Sequence, residues 1–176
     1  FFGCRCLKSV RFQTENSGNS LDEIGEEAFF ECSNLEFVYD VPLSLRKIGV
    51  KAFFKCAKLK LFNFFLFDNS VEVVEGELNE IGRSAFAECG NFESFKSTSK
   101  CPLLIGHECF LNNGLLGAVV CHAQRVTIAG NAFANCKILS FAYFPNAKEV
   151  AIAEEAFSGV PDSFEIFVPN EAELNG

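Results

Sequence analysis

Residues 24–35 read Ile24-Gly25-Glu26-Glu27-Ala28-Phe29-Phe30-Glu31-Cys32-Ser33-Asn34-Leu35, and that order decides the fold because it comes back. It returns as Ile48-Gly49-Val50-Lys51-Ala52-Phe53-Phe54-Lys55-Cys56-Ala57-Lys58-Leu59 and as Ile81-Gly82-Arg83-Ser84-Ala85-Phe86-Ala87-Glu88-Cys89-Gly90-Asn91-Phe92. Looser copies follow. Ile105-Gly106 leads to Cys109-Phe110, Asn113 and Leu116; Ile128 leads to Ala132-Phe133, Cys136 and Leu139; Ile152 leads to Ala156-Phe157 and Val160. A half copy, Phe1, Cys4 and Leu7, precedes them all, and the Ile-to-Ile steps are 24, 33, 24, 23 and 24 residues. A fixed period of this size is the mark of a repeat array, in which each unit buries its apolar face only by stacking on the next.

After each copy comes a short β-type run, at 7–12, 35–40, 59–64, 92–97, 116–121, 139–144 and 164–168, apolar at its first, fourth and usually sixth positions. Pro42, Pro145 and Pro169 close three of these runs, as expected of a residue that cannot donate to a continuing ladder. Ile, Ala, Phe and Cys of the repeated piece have helical spacing. The piece is too short for a stable free helix, so it is expected to form a single turn or a 3₁₀ segment. One repeat is then a strand, a turn, a short helical segment and another turn. The chain is expected to be one solenoid over 1–176, cut from a longer array, with an insertion at 65–77.

The pattern Leu-x-x-Ile-Gly-x-x-Ala-Phe-x-x-Cys-x-x-Leu-x-x-Val resembles the BspA-type leucine-rich repeat, from Phe1 to Pro169. That family occurs in surface proteins of oral and gut bacteria and of some parasitic protists. The resemblance implies an α/β repeat fold: a right-handed leucine-rich-repeat solenoid of about six to seven turns, with a parallel sheet on the concave face. It also implies a role in adhesion to host proteins and cells, with no catalytic residue among the repeats. Ala129 and Ala153 stand where the pattern has Gly, and Asn113 and Val160 where it has Cys.

Read in register, the oddities of composition, 22 Phe and 9 Cys among 176 residues, become columns. Phe1, Phe29, Phe53, Phe86, Phe110, Phe133 and Phe157 form one, expected to be nearly fully buried. Cys4, Cys32, Cys56, Cys89 and Cys136 form another, of small buried apolar side chains with a weak donor. Nine is an odd number, so the cysteines cannot all pair within one chain. Cys109 and Cys121 occupy buried slots, whereas Cys6 and Cys101 fall in a turn and a loop. Cys101, His107, Cys109, Cys121 and His122 lie close in sequence, but their spacing matches no usual zinc pairing. No phosphate-binding glycine loop, nucleophile elbow or zinc-protease helix motif occurs. No catalytic residue, metal site or cofactor is therefore expected, and the chain is read as a non-enzyme.

A net charge of -8 without a basic block disfavours nucleic acid as a partner, and no apolar run is long enough to span a membrane. Attention falls on the outward strand positions, the third and fifth of each run. These are Ser9 and Arg11, Phe37 and Tyr39, Leu61 and Asn63, Ser94 and Lys96, Ala118 and Val120, Phe141 and Tyr143, Ile166 and Val168. Exposed apolar groups in such numbers mark a contact site. The expected partner-binding set on the concave face is Phe37, Tyr39, Leu61, Lys96, Phe141 and Tyr143. The insertion, with Phe64-Phe65-Leu66-Phe67 before Asp68-Asn69-Ser70, reads as two strands about a polar turn. The expected function is protein recognition or adhesion at the cell surface or after secretion, toward a host or extracellular protein, with flanking repeats of the same chain as neighbours. The alternative is a cytoplasmic interaction scaffold, which the unpaired cysteines suit.

Overall fold

The structure, a computed structural model, describes residues 1–12, 21–64 and 75–176. Each repeat supplies two strands rather than the one expected. The first of each pair are β1 (Ser9–Arg11), β3 (Phe37–Val41), β5 (Leu61–Phe64), β7 (Ser94–Ser97), β9 (Ala118–Cys121), β11 (Phe141–Tyr143) and β13 (Glu165–Phe167). The second are β2 (Glu23–Ile24), β4 (Lys47–Ile48), β6 (Glu80–Ile81), β8 (Leu103–Ile105), β10 (Arg125–Ile128), β12 (Glu149–Ile152) and β14 (Glu173–Asn175). The second set makes one continuous seven-stranded sheet, while the first makes sheets of three (β1-β3-β5) and four (β7-β9-β11-β13) strands. All pairings are parallel and join equivalent residues of adjacent repeats, as in Ile48 opposite Ile81 and Phe141 opposite Ala118, except that β3 shifts register by one residue between Val38 and Val41 against β5. The product is a parallel β-solenoid of about six turns.

Ile24, Ile48, Ile81, Ile105 and Ile128 are buried strand residues, not members of a helical segment. The α/β expectation departs from the structure here, because the described residues contain no helix. The Gly-x-x-Ala and Phe-x-x-Cys pieces are instead successive tight turns, with Ala28 N–H donating to Gly25 (3.3 Å), Cys32 N–H to Phe29 (3.1 Å) and Leu35 N–H to Cys32 (2.9 Å). The third residue of the first two turns is left-handed, Glu27 and Glu31 both at φ 53°, as a type II turn requires there. The same pair recurs at Lys51 and Lys55, Ser84 and Glu88, Glu108 and Asn112, and Asn131 and Asn135.

Spacing explains why turns replace a helix. An α-helix is about 10–12 Å across, whereas strands stack about 4.7–4.9 Å apart. Flat turns fit that repeat distance and hydrogen-bond across it. Glu27, Phe29 and Glu31 donate to the carbonyls of Val50, Ala52 and Phe54 at 2.9, 2.7 and 2.8 Å.

Inside, the Phe column stacks at 5.0–5.4 Å between centroids from Phe29 through Phe53, Phe86, Phe110 and Phe133 to Phe157, with planes within 8° of parallel. Such pairs contribute about 0.5–1.5 kcal/mol each beyond area burial. The 33-residue step does not interrupt the column: Phe53 and Phe86 sit 5.1 Å apart. The chain's two outer members depart from the expected burial. Phe1 stacks on Phe29 at 5.3 Å but is 72% exposed, because no described residue packs on its other face, and Phe157 is half-buried. Cys4 is likewise exposed, unlike Cys32, Cys56, Cys89 and Cys136. The expected hairpin lies largely outside the described residues, and residues 75–77 form no strand.

Candidate recognition surface

The outward side of the first-strand sheets is set by strand alternation. In β3, Val38 is buried while Phe37 and Tyr39 are half-buried; in β11, Ala142 is buried while Phe141 is half-buried and Tyr143 exposed. Leu61 and Lys96 also face outward, half-buried and exposed. All six expected residues thus share one face, but the face has two separate halves. No ladder joins β5 to β7, so Phe37, Tyr39 and Leu61 belong to one sheet and Lys96, Phe141 and Tyr143 to the other. Between them lies a cavity of about 190 Å³ lined by Leu61, Asn63, Ser94, Lys96 and Thr98. The Thr98 hydroxyl, buried there, has no hydrogen-bond partner among the described residues.

One outward assignment is wrong by a residue. Ile166 and Val168 pack against the core, and Glu165 and Phe167 face out instead, in register with Phe141 and Tyr143. The cause is visible in the chain. Two residues separate Cys136 from Leu139, but three separate Val160 from Phe164, and a one-residue slip turns every side chain of a strand over.

The first aromatic pair carries its own cations. Phe37 and Tyr39 stack at 5.5 Å. The Arg11 guanidinium lies 5.2 Å from the Tyr39 centroid and 3.3 Å from Asp40, and the Lys60 ammonium lies 5.6 Å from the Phe37 centroid and 3.0 Å from Glu36. The Lys60 hydrogen bond and charge hold the Glu36 carboxyl below its usual range. The second set, Phe141, Tyr143 and Phe167, lines a shallow depression of about 320 Å³ with no cation over any ring among the described residues.

The thiols make a ladder rather than a reactive centre. Cys56, Cys89 and Cys136 each donate from Sγ to the carbonyl of the column Phe one repeat back, Phe29, Phe53 and Phe110, at 3.1–3.2 Å. Burial pushes Cys121 and Cys136 up to about 12 and raises Cys56, Cys89 and Cys109 as well, which keeps them as thiols at neutral pH. All nine cysteines are free, with Cys4 and Cys6 exposed and Cys101 half-buried. Desolvation, then Lys96 and Lys100, depress His122. Among the described residues no three His, Cys, Asp or Glu side chains come together as metal ligands would, and no helix is long and apolar enough to cross a membrane.

One solved structure shares the architecture. The T. pallidum leucine rich repeat protein TpLRR superposes with a TM-score of 0.61 at 22% identity, over 91% of this chain and 73% of that one. A leucine-rich repeat protein from Bacteroides ovatus matches with a TM-score of 0.48 at 17% identity, over 100% of this chain and 64% of its own. A leucine rich cell surface protein from Faecalibacterium prausnitzii matches with a TM-score of 0.40 at 16% identity, over 97% of this chain and 62% of its own. No curated protein sequence matches the chain. The sequence profile of the BspA type leucine rich repeat region matches residues 1–76 and 68–163 in six copies, so the chain belongs to the BspA-type leucine-rich-repeat family.

Proposed function

We propose that this chain is a protein-recognition or adhesion module, displayed at the cell surface or secreted, that binds a partner through the outward side of its first-strand sheets. In this reading that side is the concave face of the solenoid. The observation that carries it is the display of Phe37, Tyr39, Phe141, Tyr143 and Phe167 on one side of a rigid β stack. Aromatic side chains are over-represented among binding hot spots, and they lose little conformational entropy when held by strands. Membership of the BspA-type family supports both the recognition role and the surface location. The module works without chemistry of its own; its partner is a protein, such as a host or extracellular one.

The test replaces Phe37, Tyr39, Phe141 and Tyr143 together by Ser. Capture of a partner by the full chain should fall at least tenfold while the circular dichroism and unfolding midpoint stay close to those of the parent. Undiminished capture by a folded variant would remove the face from consideration.

The free thiols favour a second reading, an intracellular scaffold built on the same surface, because nine unpaired cysteines suit a reducing compartment. Protease treatment of intact source cells separates the two. Cleavage of the protein in intact cells supports the surface reading, and protection until lysis supports the scaffold.

A further inference from the structure

The two aromatic clusters of the recognition face occupy equivalent strand positions, yet only one is furnished with cations. In the first, Arg11 stands in register with Tyr39, and Lys60 immediately precedes Leu61, the partner of Phe37. Both cations lie within 6 Å of a ring centroid, the range of a cation–π contact. In the second cluster Val120 takes the place of Arg11 and Phe164 the place of Lys60. The ring positions are kept and the cations are gone. A carboxylate is added instead: Glu165, exposed, stands in register with Phe141 and on the same side as Phe167. Glu165 makes no ion pair with another described residue.

Resting on the proposed recognition face, we infer that Phe141, Tyr143, Phe167 and Glu165 form an open aromatic seat for a cationic side chain, arginine or lysine, supplied by the protein partner. The quadrupole of each ring attracts a cation to its face, and the adjacent carboxylate takes the role that Asp40 and Glu36 play toward Arg11 and Lys60. The chain's net charge of -8 adds a long-range attraction of the same sign. The partner thus completes at β11 and β13 what the chain provides for itself at β1, β3 and β5.

The chain has no Trp and only two tyrosines, so a Tyr39→Phe variant leaves Tyr143 as the sole fluorescent reporter, inside the seat. In that background the full chain is titrated with the blocked peptide Gly-Arg-Gly and with Gly-norleucine-Gly, which keeps the aliphatic stem and lacks the charge. The arginine peptide should bind about fivefold tighter than the norleucine peptide, a margin that shrinks as salt is added. Glu165→Gln should weaken the arginine peptide about threefold and leave the norleucine peptide unchanged. Equal binding of the two peptides would overturn the cation seat while leaving an apolar recognition face standing. No saturable change with either would overturn both the seat and this half of the face. An arginine preference that survives Glu165→Gln undiminished would remove the carboxylate from the site and overturn the seat as drawn.

Discussion

The side-chain amide of Asn113 donates a 2.8 Å hydrogen bond to the carbonyl of Phe86, in the slot where Cys56 and Cys89 donate from sulfur to Phe29 and Phe53. The requirement at this position is a small buried side chain with a donor, and Asn meets it at a cost, because its Oδ1 is buried without a partner among the described residues. Asn113→Cys should raise stability by about 1 kcal/mol, the relief of an unsatisfied oxygen offset by a weaker donor. Asn113→Val should lower it by about 1–2 kcal/mol, because the Phe86 carbonyl then has no side-chain donor. Urea unfolding midpoints check the order. A Val variant as stable as the Cys variant would mean that only size matters in this column.

The buried thiols make a second, pH-dependent prediction. Unfolded cysteines ionise near pH ~8.5, while burial holds Cys121 and Cys136 at about 12 and raises Cys56, Cys89 and Cys109 too. Below the unfolded value all five are thiols in both states, and stability is unaffected. Above it the unfolded chain sheds protons that the folded chain keeps, so stability falls as pH rises toward the folded values. Each such thiol that stays protonated in the folded chain removes up to about 1.4 kcal/mol per pH unit, and the five act in the same direction. Cooperative unfolding between about pH 9 and 11, with thiolate absorbance appearing in the same transition, is the expected result. Thiolate forming well before the loss of circular dichroism would contradict it.

Gly49 and Gly82 open the Gly-x-x-Ala turns of their repeats, yet neither has positive φ. What excludes a side chain is the neighbouring repeat: a Cβ on Gly82 would lie 2.7 Å from Val50 N and 2.8 Å from Gly49 C, whereas one on Gly25 would meet no described residue within 4 Å. Gly82→Ala should cost about 1–3 kcal/mol, the usual range for overpacking, and Gly25→Ala less than about 0.5 kcal/mol. Thermal unfolding of the two variants side by side reads the difference. Equal destabilisation would point to backbone entropy rather than close approach.

These cases show which features the sequence carried. Columns such as Phe29 to Phe157 were legible because one residue recurs at a fixed step, and identical side chains in register can only stack. The second strands were not. Glu23–Ile24, Lys47–Ile48 and Glu80–Ile81 are two residues long, too short for alternation to show, and each is held only by the repeats beside it. The turns read as a helical segment in the sequence because Ile, Ala, Phe and Cys happen to share helical spacing, while the left-handed Glu27 and Glu31 leave no mark in residue type. On the outward side of the first-strand sheets the alternation rule succeeded at Phe37, Tyr39, Phe141 and Tyr143. It failed at Glu165 and Phe167, where the extra residue between Val160 and Phe164 slips the register.

Those unmarked left-handed residues supply the last prediction. Glu155 has φ 60°, and Asn131, one repeat earlier in the same slot, has φ 57°. A β-carbon crowds the following carbonyl in this region, and Asn tolerates it better than Glu because its short amide bonds to the local backbone. Glu155 makes no ion pair with another described residue that its removal would forfeit. Glu155→Asn should therefore raise stability by about 0.5–1 kcal/mol, whereas Glu154→Asn, at a neighbour without positive φ, should be neutral. Both are read from the shift in urea midpoint at unchanged slope. An equal gain from the two would trace the effect to lost negative charge, since the chain already carries a net -8, and not to the backbone.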